Sequence, residues 1–152
     1  DGAPLMVFTD WRQLPALSDA VQAAGWKWLG IVPWDKRSAR PQMGRFRQQC
    51  EYVLFASKGR IIEHARSCLP GVYSYPVVAA RKVHLTSKPV PLIENLLAVA
   101  AAQATVLDPF MGGGSVGEAC IRTGRGYIGM ELSPEYYEIS RSRLTAVLAE
   151  RT

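Results

Sequence analysis

Cysteine is scarce in this chain of 152 residues: Cys50, Cys68 and Cys120 are an odd number with no C-x-x-C spacing. That pattern argues against a disulfide framework or a zinc site and for a reducing, cytoplasmic setting. Long apolar runs are missing too. The longest, residues 96–102, has seven members, far short of a bilayer span. The opening Asp1-Gly2-Ala3-Pro4-Leu5 has neither the basic start nor the apolar core of a signal peptide. With no initiator methionine, the chain is expected to begin inside a longer protein. What is present is ordinary for a globular domain, at 48% hydrophobic and 20% charged residues, over a length that suits one domain.

The net charge of +5 is unevenly placed. Residues 36–66 hold eight basic and two acidic groups, while residues 1–35 hold two and four. The dense stretch is Lys36, Arg37, Arg40, Arg45 and Arg47, in a loop punctuated by Pro41 and Gly44. Concentrated cations suit a polyanion, because neutralising phosphates releases counterions. An ordinary solvated loop would look the same on charge alone.

Hydrophobic spacing outlines the elements. Residues 5–9 read as a buried strand, and Leu14, Leu17, Val21 and Ala24 recur at helical spacing before Gly25. Residues 28–34 and 51–57 read as strands that could pair across the basic loop, with Pro33 predicting an edge or a bulge. Trp26, Trp28 and Trp34 are expected in the core rather than stacked on a partner. Residues 58–82 read as loop-rich. A helix opened by Pro89 and Pro91 carries Leu92, Ile93, Leu96, Leu97 and Ala100 on one face. Then follow a strand at 105–107, a glycine turn at 111–114, a helix through Val116, Ala119, Cys120 and Ile121, and a strand at 127–130. Ser133 as N-cap and Pro134 start the last helix, with Tyr137, Ser140, Leu144, Val147 and Leu148 as its expected face. Strand–helix–strand–helix predicts a parallel sheet with covering helices.

Gly112, Gly114 and Gly117 match G-x-G-x-x-G at the strand-to-helix turn, and Glu131 closes the next strand 23 residues after Asp108. Glycines let a ligand approach the backbone, and an acid at the second strand end can accept ribose hydroxyls. The bland alternative is tight packing with a solvated Glu131. A dinucleotide fingerprint places its glycines directly after the strand, to offer N–H groups to a pyrophosphate. Here Asp108-Pro109-Phe110 intervenes, and a carboxylate there repels a pyrophosphate but suits an ammonium group. An ammonium at one end and an adenosine ribose at the other describe S-adenosylmethionine (SAM). NAD stays open as the less fitting choice.

The residues 108–115, Asp-Pro-Phe-Met-Gly-Gly-Gly-Ser, followed by Gly129-Met130-Glu131, resemble the cofactor motif of the amino-group DNA methyltransferases, DPFxGSGTT followed by GxE. His84-Leu85-Thr86-Ser87-Lys88-Pro89 resembles the HxTxKP box that precedes this motif in their circularly permuted beta class. The resemblance covers nearly the whole chain. It implies a Rossmann-like α/β methyltransferase fold, three-layered with a mostly parallel sheet, here the C-terminal portion and incomplete at the N-terminus. It further implies a single domain over residues 1–152, with a DNA-facing loop and short recognition region at about 36–83 and a cofactor-binding part at about 84–152.

By the same resemblance, Asp108 meets the methionine ammonium, Phe110 packs near the cofactor, Gly112 and Gly114 make room, and Glu131 holds the ribose. Thr86, Ser87 and Lys88 approach the methionine carboxylate. Lys36, Arg37, Arg40, Arg45 and Arg47 face double-stranded DNA, mostly binding phosphate. Gly113 and Ser115 depart from the usual Ser and Thr, and the first of them has no hydroxyl to offer. The implied reaction moves a methyl group from SAM to an exocyclic amino group of adenine or cytosine, as in restriction–modification, with no metal. The family's catalytic tetrapeptide, (D/N/S)PP(Y/F/W), does not occur in these residues. The chain alone is therefore expected to be inactive, with an upstream segment or a second copy completing it. The alternative is a non-catalytic SAM- or DNA-binding remnant.

Overall fold

The computed structural model describes residues 2–64, 68–77 and 88–150. The chain divides into two compact units, Asp1–Val77 and Val78–Thr152.

In the first unit, β1 (Pro4–Thr9), β2 (Lys27–Asp35), β3 (Cys50–Ser57) and the short β4 (Tyr73–Ser74) form one sheet in the order β1-β3-β2-β4. Tyr52, Val53 and Phe55 are residue types that suit a pleated surface, and β3 lies inside the sheet between two antiparallel partners. The β2–β3 pairing is the hairpin expected across the basic loop, which forces the antiparallel sense; β2–β4 is parallel. Pro33 lies just before the two residues paired to β4, and β2 has no other partner on that side among the described residues. That is the edge setting proline tolerates. The bulge falls elsewhere, between Trp28 and Gly30.

Helix α1 (Leu14–Ala23) begins where the Asp10 carboxylate accepts the Arg12 and Gln13 N–H groups, at 2.7 and 3.1 Å. It lays Leu14, Leu17 and Val21 on Leu54 and Ala56 of β3, with Leu5 and Trp26 alongside. Ala24 is exposed rather than in the core, because the helix has ended and Gly25 turns away with φ +77°. Trp34 is buried and meets Phe8 edge-on, and Trp26 joins the core cluster, as expected of both. Trp28 is exposed instead, its indole N–H tied to the Gly30 carbonyl beside the bulge at 2.9 Å.

The second unit contains α2 (Val90–Leu97), β5 (Thr105–Asp108), α3 (Ser115–Arg122), β6 (Gly126–Gly129) and α4 (Pro134–Ala149). Strands β5 and β6 pair in parallel, Thr105 to Gly126 through Asp108 to Gly129, with α3 as the crossover a parallel pair requires. Leu92, Ile93, Leu96 and Leu97 of α2 are buried, as are Ala119 and Cys120 of α3. Burial pushes the Cys120 thiol up to about 11. Helix α2 stops short of Ala100, where the chain tightens into successive i to i−3 bonds. The Arg125 guanidinium takes the carbonyls of Leu97 and Ala100 there, at 2.9 and 3.3 Å. On α4 the Ser133 hydroxyl caps the Tyr136 N–H as expected. Tyr137 and Leu148, expected on the packed face, are exposed; Ser140 and Val147 are buried. No helix among the described residues is long and apolar enough to cross a membrane.

Candidate functional site

Asp108 ends β5 and Glu131 lies just past the end of β6, so parallel pairing brings the two acids to the same end of adjacent strands. Two backbone bonds prolong the ladder beyond the strands: Met130 N–H to the Asp108 carbonyl and Met111 N–H to the Met130 carbonyl, both 2.9 Å. The Asp108 carboxylate is partly buried. One oxygen accepts the Phe110 N–H at 3.2 Å and the other the Tyr127 hydroxyl at 3.1 Å. Burial raises its pKa above the ordinary carboxylate value; the two hydrogen bonds oppose that shift, and the Glu131 charge adds to it.

Glu131 does more than end a strand. Its Oε2 accepts the Gly112 N–H at 2.9 Å and its Oε1 the Ser133 N–H at 3.0 Å, joining the glycine turn to the start of α4. The three glycines divide the work. Gly112, at φ +49°, has no atom of the described residues beyond its chain neighbours closer than 3.9 Å to where a Cβ would stand, so it is left open. Gly114, at φ +76°, is the N-cap of α3 and lies against Ser140, 3.3 Å from the position of its Cβ. Gly117 serves packing: a Cβ there would meet Tyr127 at 2.7 Å and Leu144 at 2.9 Å. Close packing and open space thus fall to different glycines of one motif.

Phe110 and Leu132, beside the two acids in sequence, are 88% and 97% exposed. Lys88 is half-buried just before α2, whereas His84, Thr86 and Ser87 lie outside the described residues. Four residues near the site were missed in the sequence. Leu132 carried no pattern, Tyr127 read as part of a strand and Ser140 as helix face. Nothing in the sequence pattern singled out Arg143, yet its guanidinium donates to the Gly113 carbonyl at 2.7 Å and to Glu118 at 2.6 Å. Burial works to raise the Glu118 pKa, but the bonds from Arg122 and Arg143 prevail and hold it below the ordinary value.

The basic loop separates into a fastened base and an open tip. Lys36 pairs with Glu51 at 3.3 Å, and the Arg37 guanidinium donates to the Ser74 hydroxyl and carbonyl at 2.8 and 3.1 Å. Asp35 accepts from the Arg37 N–H, the Gln49 amide and the Ser74 hydroxyl, of which the Arg37 bond most lowers its pKa. Beyond this base, Arg40, Arg45 and Arg47 are exposed. A turn closed by Arg45 N–H to the Gln42 carbonyl at 3.3 Å, with Gly44 at φ +68°, carries Met43 (97% exposed) and Phe46 (92%).

Comparison with known proteins bears on the family. Residues 63–142 match the N6/N4 methylase family model, described as DNA methylase. The chain is 33% identical over 150 residues to the putative methylase YubD of Escherichia coli K12, covering 95% of this chain and 63% of YubD. It is 30% identical over 152 residues to the type II methyltransferase M.Cfr9I of Citrobacter freundii, covering 88% and 48%. The chain therefore spans about half to two thirds of the length of these relatives. Among solved structures, the M1.HpyAVI–SAM complex superposes with a TM-score of 0.79 at 26% identity, over 94% of this chain and 74% of that one. PvuII DNA methyltransferase, described as cytosine-N4-specific, shares the fold at a TM-score of 0.78 and 16% identity, over 98% and 70%. With the family model matched across more than half of its residues, this chain belongs to the N6/N4 DNA methylase family.

Proposed function

We propose that this chain forms the SAM-binding and DNA-facing portion of an enzyme that methylates an exocyclic amino group of adenine or cytosine in double-stranded DNA. The observation that carries the reading is the pair of carboxylates, Asp108 and Glu131, at the same end of two parallel strands, flanking a turn whose first glycine is open. Bound SAM supplies a sulfonium-activated methyl group, so the protein's task is chiefly to position the reactants. Asp108 receives the methionine ammonium, whose charge offsets the cost of burying that carboxylate. Glu131 accepts the ribose hydroxyls while its backbone bonds hold it still. Phe110 and Leu132 offer apolar surface to the adenine, and Thr86, Ser87 and Lys88 serve the methionine carboxylate.

DNA contact falls to Arg40, Arg45 and Arg47, while Lys36 and Arg37, tied to Glu51 and Ser74, hold the loop that presents them. Most of these contacts go to phosphate and place the duplex without reading sequence. Transfer itself depends on a (D/N/S)PP(Y/F/W) segment that these 152 residues do not contain, supplied by more chain or by a second subunit. A cytoplasmic location fits this substrate and the three free cysteines. Calorimetry with SAM, with NADH as competitor, tests the site; a filter assay with labelled methyl groups, with and without the tetrapeptide segment, tests transfer. SAM binding that NADH does not displace supports the reading. NADH binding in place of SAM overturns it, and SAM binding without transfer in the completed protein leaves a cofactor-binding remnant.

A further inference from the structure

The stretch Met111-Gly112-Gly113-Gly114 has three glycines in succession, the most conformationally free sequence a ligand-binding turn can have. Left unsupported, it would lose much chain entropy on closing around a ligand, and affinity would fall accordingly. In the structure it is held from behind. The Ser140 hydroxyl of α4 donates to the Gly112 carbonyl. One turn further along α4, Arg143 Nη1 donates to the Gly113 carbonyl at 2.7 Å and to the Ser115 hydroxyl at 3.2 Å. The same guanidinium is oriented by its Nε bond to Glu118 Oε2 at 2.6 Å, and Glu118 Oε1 takes Arg122 at 2.8 Å. Both Arg143 and Glu118 are mostly withdrawn from solvent, with side chains 20% and 12% exposed.

We infer that Arg143, oriented by Glu118 and seconded by Ser140, is a positioning device that pre-forms the glycine turn for SAM, setting cofactor affinity without touching the cofactor. The inference rests on the proposed SAM site and assigns it a regulator of rigidity. Drawing two successive carbonyls toward α4 fixes the peptide planes on both sides of Gly113. Trans planarity then turns the N–H groups of Gly113 and Gly114 the opposite way. Gly114 N–H completes the turn on the Met111 carbonyl at 2.8 Å, while Glu131 holds Gly112 N–H from the other side. A lysine at position 143 could reach one of these partners but not span three, because it lacks the planar fork of arginine.

The experiment compares Arg143→Met, Arg143→Lys and Val147→Ala with the unaltered protein. Val147 is buried on the same helix and makes none of these bonds, so Val147→Ala controls for loosening of α4 in general. Calorimetry with SAM reads affinity, and hydrogen exchange of the Gly112 and Gly114 amides by NMR reads the turn itself without any ligand. Arg143→Met is expected to weaken SAM binding at least 10-fold and speed those two exchanges at least 10-fold beyond Val147→Ala, with Arg143→Lys between. Equal affinity loss and equal exchange in Arg143→Met and Val147→Ala overturn the inference. If the unaltered protein does not bind SAM, the cofactor reading fails, and the exchange comparison still decides whether Arg143 orders the turn.

Discussion

Replacing Asp108 by asparagine should make the empty protein more stable and weaken its binding of SAM. The substitution keeps the shape. The side-chain carbonyl of the introduced asparagine can still accept the Phe110 N–H, and its amide can donate to Tyr127, whose hydroxyl need only turn from donor to acceptor. What disappears is a partly buried charge whose pKa burial has raised. A carboxyl raised above its unfolded value favours folding below about pH 3.8, and that contribution is lost as pH climbs through the raised value. At neutral pH the ionised Asp108 therefore burdens the empty protein. Asp108→Asn should raise the melting temperature without ligand at pH 7, and the gain should vanish near pH 3, where the wild-type carboxyl is protonated.

With SAM the order reverses. Losing a charge-assisted bond to the ammonium, worth roughly 1.5–3 kcal/mol, weakens binding about 10- to 150-fold. A ligand present at 100 times its Kd stabilises by about 2.7 kcal/mol, and one bound 100-fold more weakly at that concentration by only about 0.4. Melting curves with and without SAM, alongside calorimetry, read both effects. A variant that keeps SAM affinity within twofold, or that melts well below the wild type when empty, would refute this account of Asp108.

Further outcomes follow from the geometry. Arg45→Ala and Arg47→Ala, in protein completed with the catalytic segment, should weaken DNA binding evenly across sequences and each lower the slope of log affinity against log salt by about 1; loss confined to one sequence would mean base reading. Gly117→Val places atoms where even a Cβ stands 2.7 Å from Tyr127, and should cost about 1–3 kcal/mol in urea unfolding while shifting the tyrosine that steadies Asp108. In native protein, a thiol reagent should label exposed Cys68 well before Cys120, which is buried with its pKa raised to about 11; equal rates would contradict the burial.

Local pattern was enough for most of the elements and for the two acids. The hydrophobic spacing of residues 14–21, the Ser133-Pro134 start of α4 and the spacing from Asp108 to Glu131 are all short-range features of covalent order. β4 is two residues long and exists only because Trp34 and Asp35 offer it a ladder, so nothing near Tyr73 announced it. The basic loop read as one patch, whereas Glu51 and Ser74, 15 and 37 residues away from Lys36 and Arg37, decide which cations are spoken for.

The glycine motif shows the same division most sharply. Residue type and spacing alone point to a side-chain-free turn between two acids, because only glycine takes up φ +49° and +76° without strain. Which glycine is left open and which lets α3 lie close to Tyr127 was settled by packing, since that depends on atoms brought in from β6 and α4. Arg143 is 30 residues from the carbonyl it holds, and no periodicity links two positions that meet only when a helix folds back over its own crossover.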